Sequence, residues 1–97
     1  MIRSFRDRGT ADVFDGKDTK AARRTCPQEL WNVARRKLDQ LNAAVSRESL
    51  RVPRGNQWEK LTHDRAGQDA IRINDQFRVC YVWTDEGPTQ VEIVDYH

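Results

Sequence analysis

Two cysteines, Cys26 and Cys80, are all the thiols in this 97-residue chain. That count excludes a disulfide framework, and neither cysteine stands at metal-ligand spacing from the two histidines, His63 and His97. No metal site is expected, and both thiols read as buried and free. Long apolar runs are missing too: the longest, Val79 to Trp83, is far too short to cross a bilayer, and Met1-Ile2-Arg3 opens no apolar signal segment. The expectation is a soluble, cytoplasmic protein with no membrane partner. With only three prolines and five glycines, no linker is rich enough to divide the chain, and no repeat or low-complexity tract occurs. One domain over residues 1–97 follows, too small for a separate cofactor module.

What is present is charge and a few large anchors. Charged residues make up 33% of the chain and hydrophobic ones 37%, so the core must lean on three Trp, three Phe and two Tyr. The net charge of +2 hides an asymmetry: residues 1–60 hold 14 Lys+Arg against 8 Asp+Glu, and residues 61–97 hold 3 against 7. A basic N-terminal part suits a polyanion, with nucleic acid the obvious candidate, although solvated helix faces give the same count.

The segment Met1–Phe5 reads as a short strand, and Thr10–Phe14 as a helical turn or two that Gly16 terminates. The clearest helix runs from about Pro27 to about Val45, with Leu30, Ala34, Leu38, Leu41 and Val45 forming one apolar stripe beside Trp31. Arg35, Arg36 and Lys37 fall on its other face, with Lys20, Arg23 and Arg24 just upstream, so a basic surface can gather there. Arg35 and Asp39 can equally pair along the helix at i,i+4. Ser46–Gln57, with Pro53, Gly55 and Asn56, reads as a loop, Trp58–Leu61 as a short strand and Asp64–Gly67 as a turn.

The C-terminal third alternates with period two over Ala70–Asn74, Phe77–Trp83 and Gln90–Tyr96, which predicts an antiparallel meander. Keeping Ile71 and Ile73 on the face of Phe77, Val79 and Tyr81 requires a loop with an odd number of residues. Taking Asn74-Asp75-Gln76 as that loop pairs Ile71 with Val79 and sets Arg72 directly opposite Arg78. Opposed like charges destabilise a ladder, so the pair needs a reason. One is a guanidinium clamp for a phosphate; the other is neutralisation by Glu92 or Asp95, or splaying into water. The chain then closes on Asp95-Tyr96-His97, a carboxylate, a phenol and an imidazole that suit proton transfer and charge stabilisation.

These residues carry a resemblance. Met1-Ile2-Arg3-Ser4-Phe5, Leu61-Thr62-His63-Asp64-Arg65-Ala66-Gly67, Ile71-Arg72-Ile73-Asn74 with Phe77-Arg78-Val79, and Val94-Asp95-Tyr96-His97 are similar to the HigB toxins of bacterial type II toxin–antitoxin modules, in the RelE/ParE superfamily. The likeness spans nearly the whole chain. It implies an α+β fold, a small antiparallel sheet packed on one side by two N-terminal helices. It also implies a ribosome-dependent messenger-RNA endonuclease that needs no metal or other cofactor and contacts ribosomal RNA in the A site. Its inhibitor would be a HigA-like helix-turn-helix antitoxin, through which alone it would reach operator DNA. Carried over to this chain, Arg72, Arg78, Asp95, Tyr96 and His97 become the catalytic candidates, and Arg23, Arg24, Arg35, Arg36 and Lys37 the RNA-binding ones. Where some relatives have an active-site histidine, this chain has Glu59, with Lys60 beside it. Glu59 is therefore a further catalytic candidate. A ParE-like gyrase inhibitor and a non-catalytic ribosome- or RNA-binding module share the fold expectation without the chemistry.

Overall fold

A computed structural model describes residues 1–96. Three helices, α1 (Arg8–Asp15), α2 (Lys20–Thr25) and α3 (Trp31–Ala43), precede four strands, β1 (Glu59–Lys60), β2 (Asp69–Arg72), β3 (Phe77–Thr84) and β4 (Gly87–Asp95). The strands form one antiparallel sheet in the order β1-β2-β3-β4.

Local chemistry explains the helix ends. The Asp7 carboxylate accepts the Thr10 N–H at 2.7 Å to start α1, and Gly16, at φ 76°, ends it by donating to the carbonyls of Asp12 and Val13. Thr19 caps α2 by accepting the Ala22 N–H at 3.1 Å, while its own hydroxyl donates to Asp12 at 2.6 Å. This short helix joins the two expected ones; its sequence, with Ala22 alone buried, has no apolar period to announce it. The long helix is shorter than its expected span. Gln28–Leu30 forms a 3-10 turn, regular helix begins at Trp31, and Ala44 is already extended. Val45 therefore leaves the stripe and is 91% exposed, whereas Ala34, Leu38 and Leu41 are fully buried.

The sheet confirms the parity argument. Ile71 pairs with Val79 and Arg72 with Arg78. Ile71, Ile73, Phe77, Val79, Tyr81, Val91 and Ile93 all lie in the core shared with Val13, Ala34, Leu38, Leu41 and Leu50. Each fully buried Leu or Ile contributes about 1.5–3 kcal/mol relative to exposure, so this one layer dominates the stability. A bulge sets two β4 residues, Gln90 and Val91, against Tyr81, so the register shifts between Cys80 and Val82. It turns Gln90 outward at φ 51°, and Ser4 Oγ accepts its N–H at 2.9 Å.

Residues 3–6 run parallel to β4, with a bridge between Phe5 and Val91, and Thr10 Oγ1 accepts the Ile93 N–H at 3.0 Å. The expected N-terminal strand is thus an irregular strip that covers the outer edge of β4. The stretch 46–57, expected as a loop, is partly regular. It holds 3-10 turns at Arg47–Arg51 and Arg54–Asn56, and the buried Asn56 amide donates to the Leu50 carbonyl at 3.1 Å and to Gln40 at 3.0 Å. Among the described residues no helix is long and apolar enough to cross a membrane.

Candidate active site

The strand pairings place alternate side chains on the face of the sheet away from the core. Glu59, Ala70, Cys80 and Glu92 form one row across all four strands, and Arg72, Arg78 and Val94 form the next. Tyr96 follows Val94 at the same parity and is held at the end of β4, its N–H donating to the Gln76 carbonyl at 2.6 Å. The Arg78 guanidinium lies over the Tyr96 ring, 5.2 Å from its centroid, a cation–π contact at a half-open site. Arg78 also donates to the Asn74 carbonyl at 2.5 Å.

The opposed arginines are thus relieved in two different ways. Arg72 pairs with Asp75 in the hairpin turn, whereas Arg78 takes a backbone carbonyl and an aromatic face. Among the described residues no ion pair joins either arginine to the expected neutralisers: Glu92 pairs with Arg6 at 3.3 Å and Arg65 at 3.5 Å, and the Asp95 carboxylate accepts from the Gln76 amide at 3.0 Å.

Beside this face lies an open cleft of about 590 Å³ between the segment 59–65 and the end of β4. Glu59, Lys60, His63, Asp64 and Arg65 line one wall, Asp95 and Tyr96 the other. Burial raises the Tyr96 phenol above its ordinary value; Cys80 and Glu59 push the same way, while Arg65 and Arg78 oppose them. The phenol therefore stays protonated through the neutral range and is available as a donor. Cys80, beneath it, is pushed up to about 11, chiefly by burial, and so stays a thiol. Arg65, which donates to Gln68 at 3.0 Å, is a cleft residue that the sequence marked only as part of a turn. The signal was present, since an arginine two residues before the turn glycine adjoins the β1 segment that carries Glu59.

The basic candidates divide. Arg23, on α2, pairs with Asp18 at 2.5 Å, and Arg24 is exposed. Arg35 lies against Gly16, and no ion pair joins it to Asp39 among the described residues. Arg36 and Lys37 line a second cleft of about 470 Å³, between α3 and the β2–β3 hairpin, together with Arg72. Lys37 is not a freely solvated cation there. Its ammonium donates to Asn56 at 2.6 Å, and burial, then Arg36, lowers its pKa. So Arg78 and Tyr96 come together, with Glu59 across the cleft from Tyr96; Asp95 lines the cleft but pairs with Phe77, at the parity of the core-facing residues, and Arg72 stands next to Arg78 but turns toward the second cleft. The expected role of His97 lies outside the described residues. Among the described residues no cluster of His, Cys, Asp or Glu has the make-up of a metal site.

Comparison with known proteins places the chain in a family and a fold. The chain is 34% identical over 85 residues to Toxin HigB-1 of Vibrio cholerae serotype O1, covering 88% of this chain and 86% of that one. In fold it matches the YoeB–YefM complex from Staphylococcus aureus with a TM-score of 0.58 at 15% identity, over 100% of this chain and 98% of that one. The profile of the RelE-like HigB toxins of type II toxin–antitoxin systems matches residues 3–97, and the chain accordingly belongs to that HigB-like toxin family.

Proposed function

We propose that this toxin cuts messenger RNA on the ribosome, using the face built from Arg78, Tyr96 and Arg72 beside the cleft. As a type II toxin it is paired with an antitoxin, for which we propose a HigA-like helix-turn-helix protein. HigB and RelE-like toxins are generally endoribonucleases. The observation that carries the reading for this chain is the Arg78 guanidinium stacked over Tyr96 at the cleft rim.

RNA brings its own nucleophile, the 2′-OH beside the scissile phosphate, so the protein has to align it, move protons and offset charge. Arg78, with Arg72 as its cross-strand neighbour, would stabilise the charge that grows on the phosphorane, which is the kind of preorganised electrostatics that supplies the largest catalytic contribution in many enzymes. The protonated Tyr96 would donate to a phosphate or sugar oxygen, or stack on a base. Glu59, an exposed carboxylate on the opposite wall, would accept the 2′-OH proton, and Asp95 would orient its neighbours. Arg23, Arg24, Arg35 and Arg36 would grip ribosomal RNA phosphates, with Lys37 set deeper between them and the hairpin.

The expected products are a 2′,3′-cyclic phosphate and a 5′-hydroxyl, formed equally well in EDTA at a magnesium level just sufficient to keep ribosomes intact. End-mapping of messenger RNA cut by the purified protein on ribosomes tests this directly. Ends bearing 5′-phosphate would reject the chemistry. Cleavage of free RNA at the same rate would reject the ribosome as the required platform.

A further inference from the structure

The turn that walls the cleft contains two residues in the left-handed region of backbone space, Gly67 at φ 93° and His63 at φ 57°. At Gly67 the usual solution is used, a residue without a Cβ, and a side chain there would meet open space. At His63 the same kind of backbone carries a full imidazole. Glycine would adopt this conformation at no steric cost, whereas a side chain disfavours it. Packing gives no reason for the choice, because His63 is exposed and contributes nothing to the core. Side chains held on disfavoured backbone concentrate at functional sites. This one lines the same cleft as Glu59 and Tyr96.

Taking the RNA-cleaving reading above as its basis, we propose that His63 is a catalytic residue, the general acid that protonates the leaving 5′-oxygen. The 2′-oxygen forms its bond to phosphorus as its proton passes to Glu59. The bond from phosphorus to the 5′-oxygen breaks, and that oxygen takes the proton from the His63 imidazolium. One proton is accepted and one given, so the cleft returns to its starting state once Glu59 and His63 re-equilibrate with water. Imidazole is the side chain best suited to give a proton near neutral pH. The other charged and titratable groups that line the cleft with His63 are Glu59, Lys60, Asp64, Arg65, Asp95 and Tyr96.

The test compares the full chain with its His63→Gly and His63→Asn variants on ribosomes programmed with two synthetic messages. One has the natural 5′-oxygen at the scissile phosphate, the other a bridging 5′-sulfur whose thiolate leaves without a proton. Glycine suits the backbone at this position and asparagine tolerates it, so neither variant should lower the melting temperature. Both should cut the oxygen message on the order of 100-fold more slowly, and both should cut the sulfur message at the wild-type rate. Wild-type cutting of the oxygen message by either variant would overturn the proposal, and so would an equal loss on both messages. Failure of the wild-type chain to cut either message would instead sink the nuclease reading on which the proposal rests.

Discussion

The two faces of the sheet divide the labour of this small protein. On the covered face Ile71, Val79, Tyr81 and Val91 are fully buried against Leu38 and Leu41, and the chemistry available is almost entirely hydrocarbon. On the other face the same three strands carry Arg72, Arg78 and Glu92, with Cys80 buried among them. Because neighbouring strand residues point to opposite sides, parity alone decides whether a residue of β3 faces the core layer or the side that carries Arg78. A face relieved of packing duty can hold two opposed arginines, whose mutual repulsion the covered face and the turn contacts must offset.

Substitutions on each side should separate these duties. Leu38→Ala, in the centre of the covered layer, should cost about 3 kcal/mol or more in denaturant unfolding; a smaller loss would mean that the covered face is not where stability resides. Arg78→Ala should slow messenger cleavage on the order of 100-fold, about 2.7 kcal/mol of barrier. The same substitution should leave unfolding free energy within ~0.5 kcal/mol, and a comparable drop in stability would erase the distinction between the faces. Asp69→Ala probes the exception. Asp69 shares the parity of Ile71, is fully buried, and receives two hydrogen bonds from Arg47, at 2.5 and 2.6 Å. Since the Arg47 side chain is 32% exposed, stranding it should cost about 2 kcal/mol, less than breaking a fully buried pair. Cleavage at a temperature where the variant is folded should be unchanged.

The smallest effect concerns the two thiols, one associated with each side. Cys26, at the end of α2, and Cys80, under Tyr96, are both pushed up to about 11 by burial. Below pH 9 both are protonated whether the chain is folded or not, and stability does not respond. Between pH 9 and 11 the unfolded chain releases these protons first, so stability should fall as pH rises. At pH 8 both should resist alkylation in the folded protein. Faster labelling of Cys80 than of Cys26 would show that the chemical face has a more open floor than its burial indicates.

The parts of this division that the sequence disclosed are those governed by period. Alternation from Ala70 to Tyr96 revealed the pairing of Arg72 with Arg78 because a slip of one residue would have exposed Ile71 and Ile73. The Ala34-Leu38-Leu41 stripe revealed α3 for the same reason, and it misled only at Val45, where spacing continued after the helix had ended. What no period encodes stayed hidden. Helix α2 exists through the Thr19 cap and its contacts with α1; Gly9 leaves room there for the Ala21 carbonyl and Thr25 hydroxyl, which a side chain would strike. The partnership of Lys37 with Asn56 spans 19 positions and two elements. The cleft likewise depends on bringing residues 59–65 to the end of β4, so Arg65 read only as part of the Asp64–Gly67 turn, and His63, just before that turn, showed no metal-ligand spacing and drew no role.

The strip of residues 3–6 along β4 gives the first few amino acids leverage over events at the opposite end of the chain. Ser4 and Thr10 grip backbone amides 86 and 83 positions away, on the strand that leads to Tyr96. A nick, bulky fusion or proteolytic trim near the start would therefore slacken the Tyr96 end of β4 remotely, without touching Tyr96 or Arg78 themselves.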